Sequence, residues 1–236
     1  MVRKKITSIT AGFLPILEKT LMQNGFYDEA KSYILFRFQR TERRNAINSI
    51  VADAEDEGLK PILKKISSDY TSVEYSLLLL SDKFKSFCKD DMKQADKLSA
   101  LVKAAVEMTT QEAPNWEFIA ARLLSYKLNR SIAAFEESVS VHSFYDKLRY
   151  LTDERLYGEY ILASYSPEEI AQAATFIKEE RNDLLNYSGL DLLMKRYLIR
   201  TYSNKPIESI QEMYLGIALH LAINEKEDRM LWVQKF

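Results

Sequence analysis

The chain has 236 residues, with 33 Lys and Arg against 34 Asp and Glu for a net charge of −1. It therefore carries no global field that would draw it to nucleic acid or to an anionic membrane. Six glycines and five prolines are too few for a turn-rich β fold, and the single cysteine, Cys88, excludes an internal disulfide framework and a cysteine-based zinc site.

The basic start Arg3-Lys4-Lys5 leads into an apolar stretch interrupted by Thr7, Ser8, Thr10, Gly12 and Pro15, a pattern unlike a cleavable signal peptide. Phe13, Ile16, Leu17 and Leu21 recur at helical spacing, and Asn24-Gly25 supplies a stop. A second helix is expected from about Asp28, with Ala30, Tyr33, Ile34 and Arg37 on one stripe. Arg37, Arg40, Arg43 and Arg44 crowd its last turns, where cations favour the negative end of the helix dipole. The acidic run Asp53 to Glu57, followed by Gly58 and Pro61, lacks large apolar residues. Residues 48–72 therefore read as a linker with one short helix near 60–66, and as the boundary between two parts.

Beyond residue 73 the pattern tightens. Leu77, Leu80, Phe84 and Phe87 suit one amphipathic helix, and Leu98, Leu101, Val102 and Ala105 the next. The run Leu77 to Leu80 meets Ser81, Asp82 and Lys83 at once, far short of the roughly 20 apolar residues that span a bilayer. Asn115, after a break at Ala113-Pro114, is placed to cap a helix carrying Trp116, Ile119, Ala120, Leu123 and Leu124. Ser166-Pro167-Glu168-Glu169 is a capping box with proline at the first helical position, ahead of Ile170, Ala173, Ala174 and Ile177. Tyr197 to Tyr202 is rich in strand formers and precedes Ser203-Asn204-Lys205-Pro206, which leaves room for a short β-hairpin near 197–208. The last strong stripe is Ile210, Met213, Tyr214, Ile217 and Leu221. The fold class is mostly α.

Constellations that carry chemistry are sparse. There is no phosphate-binding glycine loop, and the histidines, His142 and His220, stand alone. Lys89 beside Cys88 is a weak reason to expect a reactive thiol. Glu168/Glu169 and Glu179/Glu180 are sequence neighbours about 100° apart on a helix, which suits caps and solvated faces rather than an acid–base pair. The arginines at 37–44 have the chemistry to hold phosphate, although a solvated helix end is the favoured account of them, since charged helix ends are common. The residues alone thus support a helical protein with an interaction or regulatory role.

Four stretches resemble the N-terminal region of class I ribonucleotide reductase large subunits. They are Val102–Ala105 with Gln111–Leu124; Tyr157-Gly158 through Glu169 with Phe176-Ile177 and Glu180–Asn182; Asn186–Leu190 through Leu198; and Glu208–Tyr214 with Ile217-Ala218. They follow the family's order and spacing from about 73 to 236, which the resemblance makes an all-helical N-terminal domain. Leu21–Gly25, Ala30–Arg37 and Arg40 are similar to the closing helices of an ATP-cone, the family's small nucleotide-binding module, so 1–47 is expected to be a truncated cone. Residues 73–130 resemble cone helices joined to the main body. Gln94 and Leu98 stand where a functional cone offers threonine and histidine, and Arg130 falls near a basic position of that site.

The resemblance implies a part of a ribonucleoside-diphosphate reductase, the enzyme that makes deoxyribonucleotides, without the cysteines and ten-stranded barrel that carry its chemistry. No catalytic or metal-binding residue is then expected here. Arg130, Arg37 and Arg40 are the candidate nucleotide contacts, and ATP or dATP the effectors of the full enzyme. The expected partners are a catalytic barrel, in the same or a separate chain, and a radical-generating small subunit, in the cytoplasm. The alternatives are a free-standing nucleotide-binding module built from cone helices and an unrelated helical scaffold. A further expectation is that Leu231, Trp232 and Phe236 remain exposed on an apolar patch.

Overall fold

Scarce glycine and proline leave long stretches free to coil. The computed structural model describes residues 16–89 and 91–236, and among these it contains helices and no strand. Residues 16–23 form α1, which stops at Gly25 with a φ of 83°, a left-handed conformation that glycine reaches without a steric cost. After it come α2 (Tyr27–Ala54), α3 (Leu59–Asp69), α4 (Leu77–Phe87), α5 (Gln94–Val106) and α6 (Trp116–Ser138). The second half holds α7 (Phe144–Asp153), α8 (Tyr160–Ser164), α9 (Pro167–Ala174), α10 (Tyr187–Arg196), α11 (Ile210–Leu221) and α12 (Arg229–Lys235), with 3-10 turns at Val73–Tyr75 and Glu179–Leu184. Phe13, the Arg3–Lys5 stretch and the side chain of Glu179 lie outside the described residues.

Short polar side chains start most of the later helices. The Ser166 hydroxyl accepts from the Glu169 N–H, and the Glu169 carboxylate accepts from the Ser166 N–H, which completes the capping box read from the sequence. Ser209 and Glu212 repeat the device at α11. Asn115 does not cap α6 with its side chain. Its backbone is already helical (φ −69°, ψ −6°), and the Glu117 N–H bonds back to Pro114 O at 3.1 Å, so the first turn forms from the backbone alone.

Two expectations change. Residues 48–72 are not a linker: α2 runs on without interruption to Ala54, and α3 starts at Leu59. Ile50, Ala54, Leu59, Leu63 and Ile66 are fully buried, because their spacing gives each helix a core-facing stripe despite the acidic run between them. The acidic run is a tight corner, turned at Glu55 with a φ of 54°. Nor is there a true hairpin at 197–208, where a single antiparallel bridge joins Arg200 to Pro206. Pro206 has no N–H with which to extend a ladder.

The buried residues form two clusters. The first gathers the second half of α2, α3 to α6, and Leu190 and Leu198 from and just after α10, around Phe84, Leu101, Trp116 and Leu123. The Trp116 indole N–H donates to Glu74 O at 2.9 Å, which gives the ring a polar anchor inside apolar surroundings. The second cluster gathers α7, α8, α9, α11 and α12 around Leu148, Ile161, Ile170 and Leu219. Helix α11 joins them: Ile210 and Met213 sit in the first cluster, Leu215, Ala218 and Leu219 in the second.

Candidate functional site

The Arg130 guanidinium is committed to a structural corner. It pairs with Asp56, which is 5% exposed. The other Asp56 oxygen accepts from the Tyr126 hydroxyl at 2.9 Å and the Gly58 N–H at 3.0 Å. A Cβ on Gly58 would collide with the Tyr126 hydroxyl, so any larger residue there would have to push that hydroxyl away. Burial, together with the bond to Asp56, pushes the Tyr126 phenol above its ordinary range. On the same corner Gln94 Nε2 donates to Glu55 O at 2.5 Å, and the buried Lys97 pairs with the Glu55 carboxylate at 2.6 Å. Leu98 is buried in the core at 6% exposure. The side chains at 94, 98 and 130 thus weld the α2–α3 corner to α5 and α6.

Arg37 and Arg40 lie elsewhere. Arg37 pairs with Glu18 of α1 at 3.1 Å, and Arg40 is exposed on α2. Between Arg40 and the end of α2 lie 14 residues of helix, or about 20 Å at 1.5 Å per residue. The three candidate arginines therefore do not converge on one nucleotide-sized site. Cys88 is half-buried, and burial pushes its thiol up, with Asp53 adding to the effect, which works against thiolate reactivity. His142 and His220 are exposed, His220 with its ring edge-on to Tyr160.

A second polar node joins the two halves of the fold. Lys147 of α7, 3% exposed, pairs with Glu136 of α6 at 2.5 Å and Glu212 of α11 at 2.6 Å. Beside it Glu208 is 5% exposed and accepts from the Ile199 N–H at 2.7 Å, which ties the 199–207 turn to the start of α11. Burial pushes the Glu208 carboxyl up to about 7. Sequence reading missed this node because nothing in the spacing of residues 136, 147, 208 and 212 marks them as neighbours.

The most distinctive surface lies on α11 and α12. Of the stripe expected to be buried, Ile210 and Met213 are, but Tyr214, Ile217 and Leu221 are about half exposed. Leu215, Ala218 and Leu219 face the core instead. Helix α11 is thus apolar on two sides, and one has no cover among the described residues. Leu231, Trp232 and Phe236 of α12 are also exposed, as expected from the sequence, while Val233 is buried. Arg229 holds α12 in place through Glu169, Ser164 O and the face of the Tyr165 ring. Between these helices and residues 176–185 runs an open groove of about 300 Å³, with Phe176, Leu184, Tyr214 and Phe236 among its walls. Gln211 fixes its edge by bonding the backbone of Lys178 in both directions.

Residues 183–236, which hold most of this surface, match the family model described as ribonucleotide reductase, all-alpha domain. The chain is 46% identical over 220 residues to the ribonucleoside-diphosphate reductase subunit alpha of Treponema pallidum, a match covering 93% of this chain and 26% of that protein. It is 30% identical over 196 residues to the subunit alpha of Enterobacteria phage T4, covering 80% of this chain and 25% of that protein. Against ribonucleoside-diphosphate reductase 1 subunit alpha of Escherichia coli it is 29% identical over 150 residues, 62% of this chain and 19% of that protein. The chain spans about a quarter of the length of the first two relatives. Residues 183–236 are thus similar to the all-alpha domain of ribonucleotide reductase, and 93% of the chain is similar to a ribonucleoside-diphosphate reductase alpha subunit.

Proposed function

We propose that this chain is the N-terminal helical part of a class I ribonucleoside-diphosphate reductase large subunit, a packing and regulatory element for a catalytic barrel in the same or a separate polypeptide. The uncovered apolar face of α11 and α12 carries this reading, because it lies within the segment that matches the family's all-alpha domain. A contiguous apolar surface of this kind is expected to be covered by a partner. The residues that reduce ribose belong, on this reading, to the barrel, and a radical-generating small subunit completes the enzyme in the cytoplasm. No helix among the described residues is long and apolar enough to cross a membrane.

The first helices, to residue 47, are read as a truncated ATP-cone, with ATP and dATP acting as effectors of the complete enzyme. The engagement of Gln94 and Arg130 in the Glu55–Asp56 corner supports a structural use of the cone-like positions in this chain. It weighs against a free-standing nucleotide-binding module. The test is co-expression with a barrel-bearing reductase polypeptide. A stable complex whose reduction of ribonucleoside diphosphates requires this chain is the expected result. A chain that stays apart, with activity indifferent to its presence, overturns the proposal.

A further inference from the structure

Three carboxylates and one lysine meet where α6, α7 and α11 join, and the charges do not balance. Lys147, 3% exposed, already engages Glu136 at 2.5 Å and Glu212 at 2.6 Å. Glu208 is buried without an ion-pair partner among the described residues, and it accepts from the Ile199 N–H at 2.7 Å. Lys147 of α7, Glu212 of α11 and the Tyr157 phenol are the titratable groups that face it, while Glu136 of α6 acts on it only through Lys147. Burial is the largest influence on its carboxyl; the Ile199 N–H and Lys147 oppose it, and Glu212 adds to it. One amide donor does not offset the desolvation of a carboxylate, so the buried group holds a proton.

We propose that Glu208 is a proton-operated latch on the 199–207 turn, closed while its carboxyl is protonated and opened when that proton passes to solvent. The turn is the part of this joint that can yield. Tyr202 to Lys205 are exposed, whereas Leu198 and Ile207 at its base are buried. Its other ties are few: Ile207 N–H donates to Ile199 O, Thr201 N–H to Lys205 O, Arg200 to Met194 O and Asn204 O, and the Tyr202 hydroxyl to Glu154 O. Lifting the turn brings water to the carboxylate. Parting α7 from α11 would instead expose Leu148 and Leu219 of the second core cluster. The carboxyl titrates at about 7 in the closed turn and returns towards its ordinary 4.5 once hydrated. Protonation therefore favours the closed form, and the opening equilibrium climbs about tenfold per pH unit between these values, then levels off above about 7.

Amide hydrogen exchange of the 236-residue chain, corrected for the intrinsic rate at each pH, reads this opening at Ile199, Thr201 and Ile207. From about pH 5 to 7 the corrected exchange should rise about tenfold per unit, then reach a plateau, with no response to urea below the unfolding transition. The amides of Ile119 and Leu123, buried in α6, should exchange more slowly and accelerate with urea. Glu208→Gln keeps an acceptor for the Ile199 N–H but has no proton to lose, so its corrected exchange should stay flat at the low-pH level of the wild type. Carbon-13 NMR of the Glu208 carboxyl follows the titration itself. A carboxyl that titrates in the ordinary range overturns the proposal. So do turn amides that open only with α6, wild-type exchange that is flat with pH, or a Glu208→Gln variant that keeps the wild-type slope.

Discussion

Replacing Asp56 with alanine tests whether the 53–58 corner is a structural joint. Its carboxylate accepts from the Tyr126 hydroxyl, the Gly58 N–H and Arg130 while only 5% exposed. Each of the two bonds from a neutral donor to this carboxylate contributes about 1.5 kcal/mol, the low end for a charged acceptor, and more where the abandoned donor stays buried. The Arg130 side chain is 43% exposed, so water takes up much of its lost pairing and its share is below about 1 kcal/mol. The sum is a loss of about 3–4 kcal/mol, a large part of the roughly 5–15 kcal/mol typical of a folded domain. Asp56→Asn keeps an acceptor for Tyr126 and Gly58 and should cost about 1 kcal/mol or less. Urea unfolding followed by far-UV circular dichroism measures both. An alanine variant within about 0.5 kcal/mol of wild type would refute the joint and return 48–72 to the status of a tether.

Other expectations follow from the same structure. The Glu208 carboxyl, pushed by burial from an ordinary value of 4.5 up to about 7, makes a stabilising contribution that is full below about pH 4.5 and lost as pH rises through about 7. Its ceiling is about 3 kcal/mol, since each tenfold gain in proton affinity on folding is worth about 1.4 kcal/mol. Glu208→Gln should flatten that slope in a urea titration at several pH values, and a variant that keeps the wild-type slope removes Glu208 as its source. Ser166→Ala removes the hydroxyl that accepts from Glu169 N–H and should cost about 1 kcal/mol in thermal or chemical unfolding; no loss would mean that the Pro167 turn and the Arg229–Glu169 pair suffice. Millimolar ATP or dATP should leave the melting temperature of this chain unchanged. A saturating rise, equivalent to about 2.7 kcal/mol at a hundredfold excess over the dissociation constant, would favour the nucleotide-binding module instead.

Local rules were legible where they act locally. The Ser166 capping box, the Gly25 stop and the buried stripes of α4, α5 and α6 all follow from spacing within one turn or a few. In the 48–72 stretch composition points to a linker and periodicity to helices, and periodicity prevails. Leu59, Leu63 and Ile66 already had helical spacing, and Asp56-Glu57-Gly58 was a turn signal whose aspartate oxygen accepts from Gly58 N–H. In α11 the stripe was real but the helix is apolar nearly all round, so periodicity did not say which side faces the core. Long-range pairs such as Arg130–Asp56 and Lys147–Glu212 were invisible, since they depend on how helices cross. For the same reason, three arginines grouped by composition and resemblance proved to be spread along two helices.

The outer face of α11 and α12 is, on the function proposed above, shaped to lie against a catalytic body. Hydrogen–deuterium exchange of this chain, alone and mixed with a barrel-bearing reductase polypeptide, tests it most directly. The predicted result is new protection concentrated in residues 210–236, together with a blue shift of the half-exposed Trp232 and no change at the buried Trp116. A complex that forms while these helices exchange as fast as before would contradict it.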